Sequence, residues 1–207
     1  MMAFRHADGR FPFLWEGAGQ PAARWNAMGD EPVQYFADTP DGAWAEFLRH
    51  EEITAAEDLA TIRRVLWVVE LEERSCAEPR LPESVLTGGT DSYEACRAEA
   101  GRLRAQGGQG LRAPSAALRA GAAGGWRVNG GLQPGPVREG RTIGLFGARP
   151  DLVGWRAAEG HPHDDLLAKV RPLAGSGSAD PGFDQSAGAA VKGSGYSRGS
   201  SAWTSLT

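Results

Sequence analysis

The sequence is most informative at Arg24-Trp25-Asn26, Tyr35-Phe36-Ala37 and Ala45-Glu46-Phe47. These three segments place an arginine, a tyrosine and a glutamate at even intervals of eleven residues. Far downstream, Ser115 lies between alanines and a proline in a short apolar segment. The four polar side chains of this series are the candidates for chemistry, and the segments around them predict the elements on which they lie.

The tyrosine and the glutamate fall in two neighbouring elements. Residues 33–37 alternate in polarity and end at a turn that contains proline, which predicts a short strand with Tyr35 in it. Asp41 is a suitable N-cap, and the pattern that follows predicts a helix over 42–52. Glu46 then lies in the middle of this helix.

The position of Glu46 on its helix leaves two interpretations open. Trp44, Phe47 and Leu48 form the apolar stripe of the helix, and Glu46 lies about 200° round from Trp44 at 100° per residue. A glutamate turned away from the apolar stripe is usually solvated. The alternative is a carboxylate that points into a cleft while the helix is anchored behind it, and periodicity cannot separate the two.

The other candidates also have ordinary explanations. Arg24 precedes the strand in a segment rich in Gly and Pro, where a guanidinium could hold a pyrophosphate, although most arginines are solvated. Tyr35 is either a core aromatic or a flat surface for a base or a nicotinamide. Ser115 has no Gly-x-Ser-x-Gly context, so a polar contact or a turn is favoured over a Ser-His-Asp hydrolase.

The remaining patterns predict an α+β fold with a compact mixed sheet and flanking helices, because strands and helices do not alternate regularly. The expected strands cover residues 61–71, 110–114, 127–128 and 141–146, and the expected helices cover 92–106 and 164–170. From residue 174 to 207 the composition changes to Gly, Ser and Ala. Such a segment buries too little apolar surface to offset its ordering entropy, so we expect a domain over 1–173 and a disordered tail over 174–207.

Composition and charge argue against nucleic acid and membranes as partners of this protein. The chain has 207 residues and a formal net charge of −4, which gives no electrostatic reason to bind nucleic acid directly. The N-terminal segment has no apolar signal region, and the longest strongly apolar run, 65–69, is too short to span a bilayer. We therefore predict a cytoplasmic protein without a membrane partner.

Two groups of side chains raise the question of a metal. Residues 161–165 contain two histidines followed by two aspartates, but no further histidine or cysteine pattern supports a zinc site. A turn with an aspartate helix cap explains the same residues. Cys76 and Cys96 lack metal-ligand spacing and are too few for a disulfide framework, so we predict reduced thiols and no metal.

Arg24, Glu46 and Ser115 occur in the order arginine, glutamate, serine, and Arg24 opens an Arg-Trp-Asn-x-x-Gly segment. In these features the sequence resembles the RES family. This resemblance implies a fold similar to ADP-ribosyltransferase toxins and cleavage of NAD as a substrate, with release of nicotinamide. It implies that Arg24, Tyr35 and Glu46 are the catalytic set, and that Arg24, Tyr35 and Ser115 contact NAD. It also implies a toxin neutralised by a helix-turn-helix antitoxin.

Three classes of function remain open at this point. The first is an NAD glycohydrolase or phosphorylase that acts as a toxin. The second is an ADP-ribosyltransferase that modifies a macromolecule, and the third is a nucleotide-binding module without turnover. The sequence also leaves a homo-oligomer open.

Overall fold

The computed structural model describes residues 1–72 and 76–173, so the predicted tail over 174–207 lies outside the described residues. The strands are β1 Met2–Ala7, β2 Val33–Ala37, β3 Arg64–Glu70, β4 Cys76–Ala77, β5 Gly110–Pro114, β6 Trp126–Val128, β7 Leu132–Pro134, β8 Arg141–Phe146 and β9 Gly154–Gly160. The α-helices are α1 Pro40–His50, α2 Ala56–Leu59, α3 Glu83–Leu86 and α4 Tyr93–Ala105. Short 3-10 helices cover Thr90–Ser92 and Asp164–Lys169.

Seven of the strands form one mixed sheet in the order β4-β5-β8-β2-β1-β3-β9. The pairs are antiparallel except for β4 with β5, which is parallel. The strands β6 and β7 form a separate two-stranded sheet. The α+β class is therefore confirmed, and β2 and β8 lie near the middle of the large sheet.

The two faces of the sheet are covered differently. On one face, α1 packs over Ala37 in one hydrophobic cluster, while α4 packs over Val33 in another. The opposite face has a third cluster, which includes Phe36, Ile143 and Leu145. Because side chains alternate along a strand, the odd-numbered residues of β2 and the even-numbered residues of β8 face the helices. Tyr35 thus lies between the α1 and α4 clusters.

The helix α1 begins two residues earlier than the sequence predicts, and its N-cap is Thr39 rather than Asp41. The Thr39 hydroxyl accepts a hydrogen bond from the Gly42 amide at 2.9 Å. Pro40 takes the first helical position, where its missing N–H costs nothing. Asp41 lies in the first turn, where its charge still favours the helix dipole.

Gly42 allows the first turn of α1 to lie close to the sheet. A Cβ added at Gly42 would lie 2.9 Å from the Cβ of Ala37 on β2 and 3.0 Å from the Thr39 hydroxyl oxygen. Gly42 and Glu46 are four residues apart and therefore lie on the same side of the helix. The close approach at Gly42 brings this side of α1, with Glu46 on it, towards the sheet.

The helix α4 ends as the sequence predicts, but its start differs in detail. Gly107 has a φ of 78°, and the Gly108 amide donates to the Leu103 carbonyl, which is a glycine-terminated helix end. Ser92 takes the N-cap position without a side-chain capping bond. None of the described helices is long and apolar enough to cross a membrane.

Several strands have no clear counterpart in the sequence patterns. These are β1, β4, β7 and β9. The strand β9 is exposed along most of its length and consists largely of Gly, Ala and charged residues, which have low strand propensity. Its pairing with β3 holds it in the sheet, so tertiary context rather than propensity forms this strand.

His6 on β1 packs against the apolar stripe of α1 and makes the stability depend on pH. Its ring stacks on Trp44 at 6.2 Å and meets Phe47 edge-on at 5.0 Å, and Nδ1 accepts from Arg64 Nε at 3.0 Å. Burial, and then the charge of Arg64, lowers the pKa of His6 well below its usual range. As the pH falls through the usual histidine pKa, the unfolded chain therefore gains a proton that the folded protein does not bind.

We expect the free energy of unfolding to be fully retained above the unfolded histidine pKa and to fall as the pH is lowered. Between about pH 7.5 and pH 5.5 the loss attributable to His6 is about 1 kcal/mol. Urea unfolding at a series of pH values measures it. His6→Gln should flatten the dependence, whereas His163→Gln, at an exposed position, should leave it unchanged. An equal slope in wild type and His6→Gln would contradict the assignment.

Candidate active site

A polar group of side chains lies on the helix face of the sheet, between the α1 and α4 clusters. It is built from α1, from β2 and β8 beneath it, from the segment before β2 and from the first residue of α4. Its members are Arg24, Tyr35, Glu46, Arg49, Tyr93 and Thr142, and we call them the cleft residues. The sequence series of Arg24, Tyr35 and Glu46 is therefore brought together in space, with three further polar residues that it did not include.

Glu46 is not a fully solvated helix glutamate. Its side chain is 25% exposed, and Oε1 accepts a hydrogen bond of 3.0 Å from the Thr142 hydroxyl. The second carboxylate oxygen lies 4.0 Å from His50 Nε2. The carboxylate thus lies against the sheet, while Trp44 and Leu48 anchor the helix in the apolar cluster. Of the two interpretations open from sequence, the solvated glutamate therefore does not describe this side chain.

Tyr35 ties the strand β2 to the segment that contains Arg24. Its hydroxyl accepts from the Trp25 amide at 2.9 Å and donates to Asn26 Oδ1, also at 2.9 Å. Burial raises the pKa of Tyr35 well above its usual range, so the hydroxyl stays protonated at neutral pH. Trp25 itself is 1% exposed and belongs to the core. The hydroxyl thus uses its hydrogen and one lone pair to hold residues 25–26 against the strand.

Arg24 is buried, with 8% of its surface exposed, and it contacts α3 and the segment between α3 and α4. Nη1 donates to the Val85 carbonyl at 3.2 Å and to Ser92 Oγ at 3.0 Å, and Nη2 donates to the Gly88 carbonyl at 2.7 Å. A guanidinium has five N–H donors. Nη1 also donates to Cys96 Sγ at 3.8 Å. These bonds leave Nε–H and one Nη2–H as the donors that a ligand could use.

Arg49 is a second arginine of the cleft, which the sequence series does not include. It is 4% exposed, and its Nη2 donates to the same Gly88 carbonyl at 2.8 Å. Its Nη1 donates to the Ala116 carbonyl, next to Ser115. Among the described residues its buried Nε has no hydrogen-bond partner. Spacing gives one signal for Arg49, because a residue three positions after Glu46 lies on the same side of the helix.

Tyr93, at the start of α4, covers the Arg24 guanidinium. The Arg24 Cζ lies 4.7 Å from the centre of the Tyr93 ring, within the range of a cation–π contact. Burial raises the pKa of Tyr93, and the charges of Arg24 and Arg49 oppose that effect. No spacing in the sequence relates Tyr93 to the other cleft residues, because it reaches the cleft only through the packing of α4.

Ser115 forms the turn that follows β5. Its side chain is buried, and its hydroxyl oxygen accepts from the amides of Ala117 at 3.2 Å and Leu118 at 3.1 Å. Its own amide donates to the Gly140 carbonyl. The local contacts of Ser115 are therefore those of a turn. Arg49 connects this turn to the cleft residues, because it donates to the neighbouring Ala116 carbonyl.

The electrostatics of the cleft favour an anionic ligand beside a single carboxylate. Arg24 and Arg49 share one carbonyl acceptor, so two positive charges lie close together. Burial lowers the pKa of Arg49; Glu46 opposes this effect, and the charge of Arg24 adds to it. A phosphate group would relieve the repulsion between the two guanidiniums, and guanidinium donors match phosphate oxygens in geometry.

A profile of the RES domain matches residues 2–166. The chain belongs to the RES domain family. This membership confirms the resemblance drawn from the arginine, glutamate and serine of the sequence. The matched residues of this RES domain include all six cleft residues and Ser115.

A solved structure has the same fold. A chain in the crystal structure of the M. tuberculosis MbcT-MbcA toxin-antitoxin complex superimposes on this RES domain with a TM-score of 0.54 at 18% sequence identity. The match covers 81% of this chain and 89% of that chain. No protein in the curated set matches this sequence.

The two histidines and two aspartates noted in the sequence at residues 161–165 make local contacts with one another and with the backbone beside them. His163 Nδ1 accepts from the Asp165 amide at 3.3 Å, so a histidine rather than an aspartate caps the 3-10 helix there. Within 1–72 and 76–173, no three His, Cys, Asp or Glu side chains group as they would to hold a metal ion.

Proposed function

We propose that this RES domain cleaves NAD at the bond between nicotinamide and ribose. One observation supports the proposal most directly. The carboxylate of Glu46 is held against the sheet by Thr142, and the cleft residues around it include the two buried arginines, Arg24 and Arg49. Membership of the RES family supports it independently, because NAD cleavage is the activity that the sequence resemblance implies.

The chemistry of NAD suits this set of side chains. Nicotinamide in NAD is already a cationic leaving group, so its departure needs no strong general acid. The barrier lies in forming an oxocarbenium-like ribosyl centre, which a fixed carboxylate stabilises by its charge. In the proposed reaction Glu46 takes this role, and water or phosphate then adds to the ribosyl carbon.

Arg24 and Arg49 would hold the pyrophosphate of NAD and orient the ribose towards Glu46. Arg24 retains two N–H donors after its bonds to Val85, Gly88 and Ser92. Arg49 adds the Nε–H that finds no partner among the described residues. Tyr35 would close the nicotinamide side through its ring, because its hydroxyl is already bonded. Ser115 would act through the turn that it forms beside the cleft.

We further propose that the domain is the toxin of a toxin–antitoxin pair and acts on the NAD of the cytoplasm. The structural neighbour described above comes from a toxin-antitoxin complex, and the resemblance implies a partner of the helix-turn-helix class. Depletion of NAD would explain toxicity without any contact with nucleic acid. The antitoxin would then prevent access to the cleft or hold the toxin inactive.

The direct test is incubation of the purified protein with NAD, with and without phosphate, followed by chromatography of the products. We expect nicotinamide together with ADP-ribose or its phosphorylated form. No release of nicotinamide with any acceptor would overturn the enzyme proposal and favour a binding module. Transfer of labelled ADP-ribose to a macromolecule would favour the transferase.

Growth arrest on induced expression, relieved by a co-expressed partner, tests the toxin role separately.

A further inference from the structure

Thr142 is a buried residue on β8 that the sequence series does not include. It pairs with Ala37 of β2 in the antiparallel ladder, and it is 8% exposed. Its hydroxyl donates to Glu46 Oε1 at 3.0 Å, a contact that joins residues 96 positions apart in the sequence. The helix α1 and the strand β8 are therefore linked at the carboxylate itself.

This hydrogen bond is unusual for a buried threonine. Most side-chain hydroxyl bonds go to backbone groups or water, and Thr87 illustrates this with its bond to the Glu83 carbonyl at 2.9 Å. Thr142 instead donates to a carboxylate that is one quarter exposed. Water could solvate Glu46 at that exposure, so the bond is not needed to satisfy the carboxylate. Its effect is to restrict where the carboxylate lies.

Both partners are held firmly by their own elements. Thr142 is β-branched and lies in an interior strand of the sheet, so its side chain has few alternative rotamers. The small side chain of Ala37 beside it, and the close approach of Gly42 to Ala37, let α1 come near enough for the contact. The other Glu46 oxygen lies 4.0 Å from His50, which is too long for a hydrogen bond.

Within the described residues, Thr142 thus makes the one hydrogen bond recorded for the Glu46 side chain. A glutamate side chain has three rotatable bonds, and without a partner it would sample several rotamers into the cleft. A reaction that depends on a fixed negative charge loses rate when that charge is displaced by about 1 Å.

We propose that Thr142 is a positioning residue, which holds one oxygen of Glu46 so that the carboxylate faces the ribosyl centre. This proposal rests on the proposed NAD cleavage for its effect on rate. Its structural part, the placement of the carboxylate, does not depend on which substrate is used. Thr142 would then act through Glu46 without touching NAD.

The test compares Thr142→Val, which keeps the shape and removes the hydroxyl, with Thr142→Ser, which keeps the hydroxyl. We expect Thr142→Val to lower kcat for nicotinamide release about 10- to 100-fold with KM changed less than about threefold. Thr142→Ser should restore kcat to within about threefold of wild type. Thr61→Val, at an exposed threonine, is the control and should leave both constants unchanged.

Crystal structures of the variants provide the readout that does not depend on activity. We expect the Glu46 carboxylate to leave β8 in Thr142→Val and to stay in place in Thr142→Ser. A carboxylate that stays in place in Thr142→Val would overturn the proposal, and so would an unchanged kcat with a displaced carboxylate. If wild type releases no nicotinamide, NAD cleavage fails and the structures still decide the positioning. Thr142→Ala replaces Thr142→Val if the valine variant does not fold.

Discussion

Glu46→Gln is expected to lower kcat for nicotinamide release by about 100- to 1,000-fold, with little change in KM. The amide has the shape of the carboxylate, and its oxygen can still accept the hydrogen bond from Thr142. The substitution therefore removes the negative charge and leaves the position. Because the proposed role of Glu46 is to stabilise positive charge in the transition state, the loss should fall on kcat. Initial rates at saturating NAD measure it.

A matched control for this prediction is Glu57→Gln on α2, where the side chain is exposed. It removes the same charge away from the cleft and should leave kcat within about twofold of wild type. Both variants should unfold at urea concentrations close to that of wild type. Glu46→Gln keeps the shape of the side chain and the hydrogen bond from Thr142, and substitutions at an exposed position such as Glu57 rarely change stability by more than about 0.5 kcal/mol. Retention of kcat within tenfold in Glu46→Gln would remove Glu46 from the catalytic role.

Arg24→Met is expected to lower the free energy of unfolding by about 2–4 kcal/mol. The substitution removes the hydrogen bonds that the guanidinium donates to Val85, Gly88, Ser92 and Cys96, and it leaves the Val85 carbonyl and Ser92 without that partner. It also removes the contact with the Tyr93 ring. Urea unfolding measures the effect as a lower midpoint with an unchanged dependence on denaturant.

Arg63→Met is the matched control for Arg24→Met. Arg63 is exposed and also donates to two backbone carbonyls, those of Ala60 and Ile62. Because water replaces such bonds at the surface, we expect a change of less than about 1 kcal/mol. Equal stability of the two variants would show that the buried contacts of Arg24 contribute little to folding.

The structural contacts of Arg24 also affect how its role in NAD binding is tested. A variant that loses stability and activity together does not identify a phosphate ligand, because the cleft is partly built by the contacts of Arg24. NAD affinity must therefore be measured under conditions where the variant is fully folded. A selective loss of affinity there would support the proposed contact with pyrophosphate.

Much of the local structure could be predicted from the sequence, because it depends on near neighbours. Alternation predicts the strand that contains Tyr35, and the glycines after α4 predict where that helix ends. The helix that contains Glu46 was also expected, although its cap is Thr39 and not Asp41. Two residues compete for the cap there, and Pro40 between them favours the earlier start.

The exposure of Glu46 could not be predicted in this way. Periodicity places it away from Trp44 and Leu48, and a helix on a protein surface usually turns that side to water. Here α1 has one side in the apolar cluster and a second side, with Gly42, Glu46 and Arg49, turned to the sheet and the cleft. Hydrophobic periodicity identifies only the apolar side of α1, because the second packed side carries glycine and charged residues.

The sequence by itself determined the residue types and their spacing, from Arg24 through Tyr35 to Glu46, and with them the membership of the RES family. Only the tertiary structure decided their surroundings. The strand order places β8 beside β2, so that Thr142 meets Glu46. The packing of α1 and of the segment before β2 against Gly88 brings Arg24 and Arg49 to the same carbonyl. The physical reason is that helix and strand patterns depend on neighbours within a few residues, whereas these contacts join segments far apart in the chain.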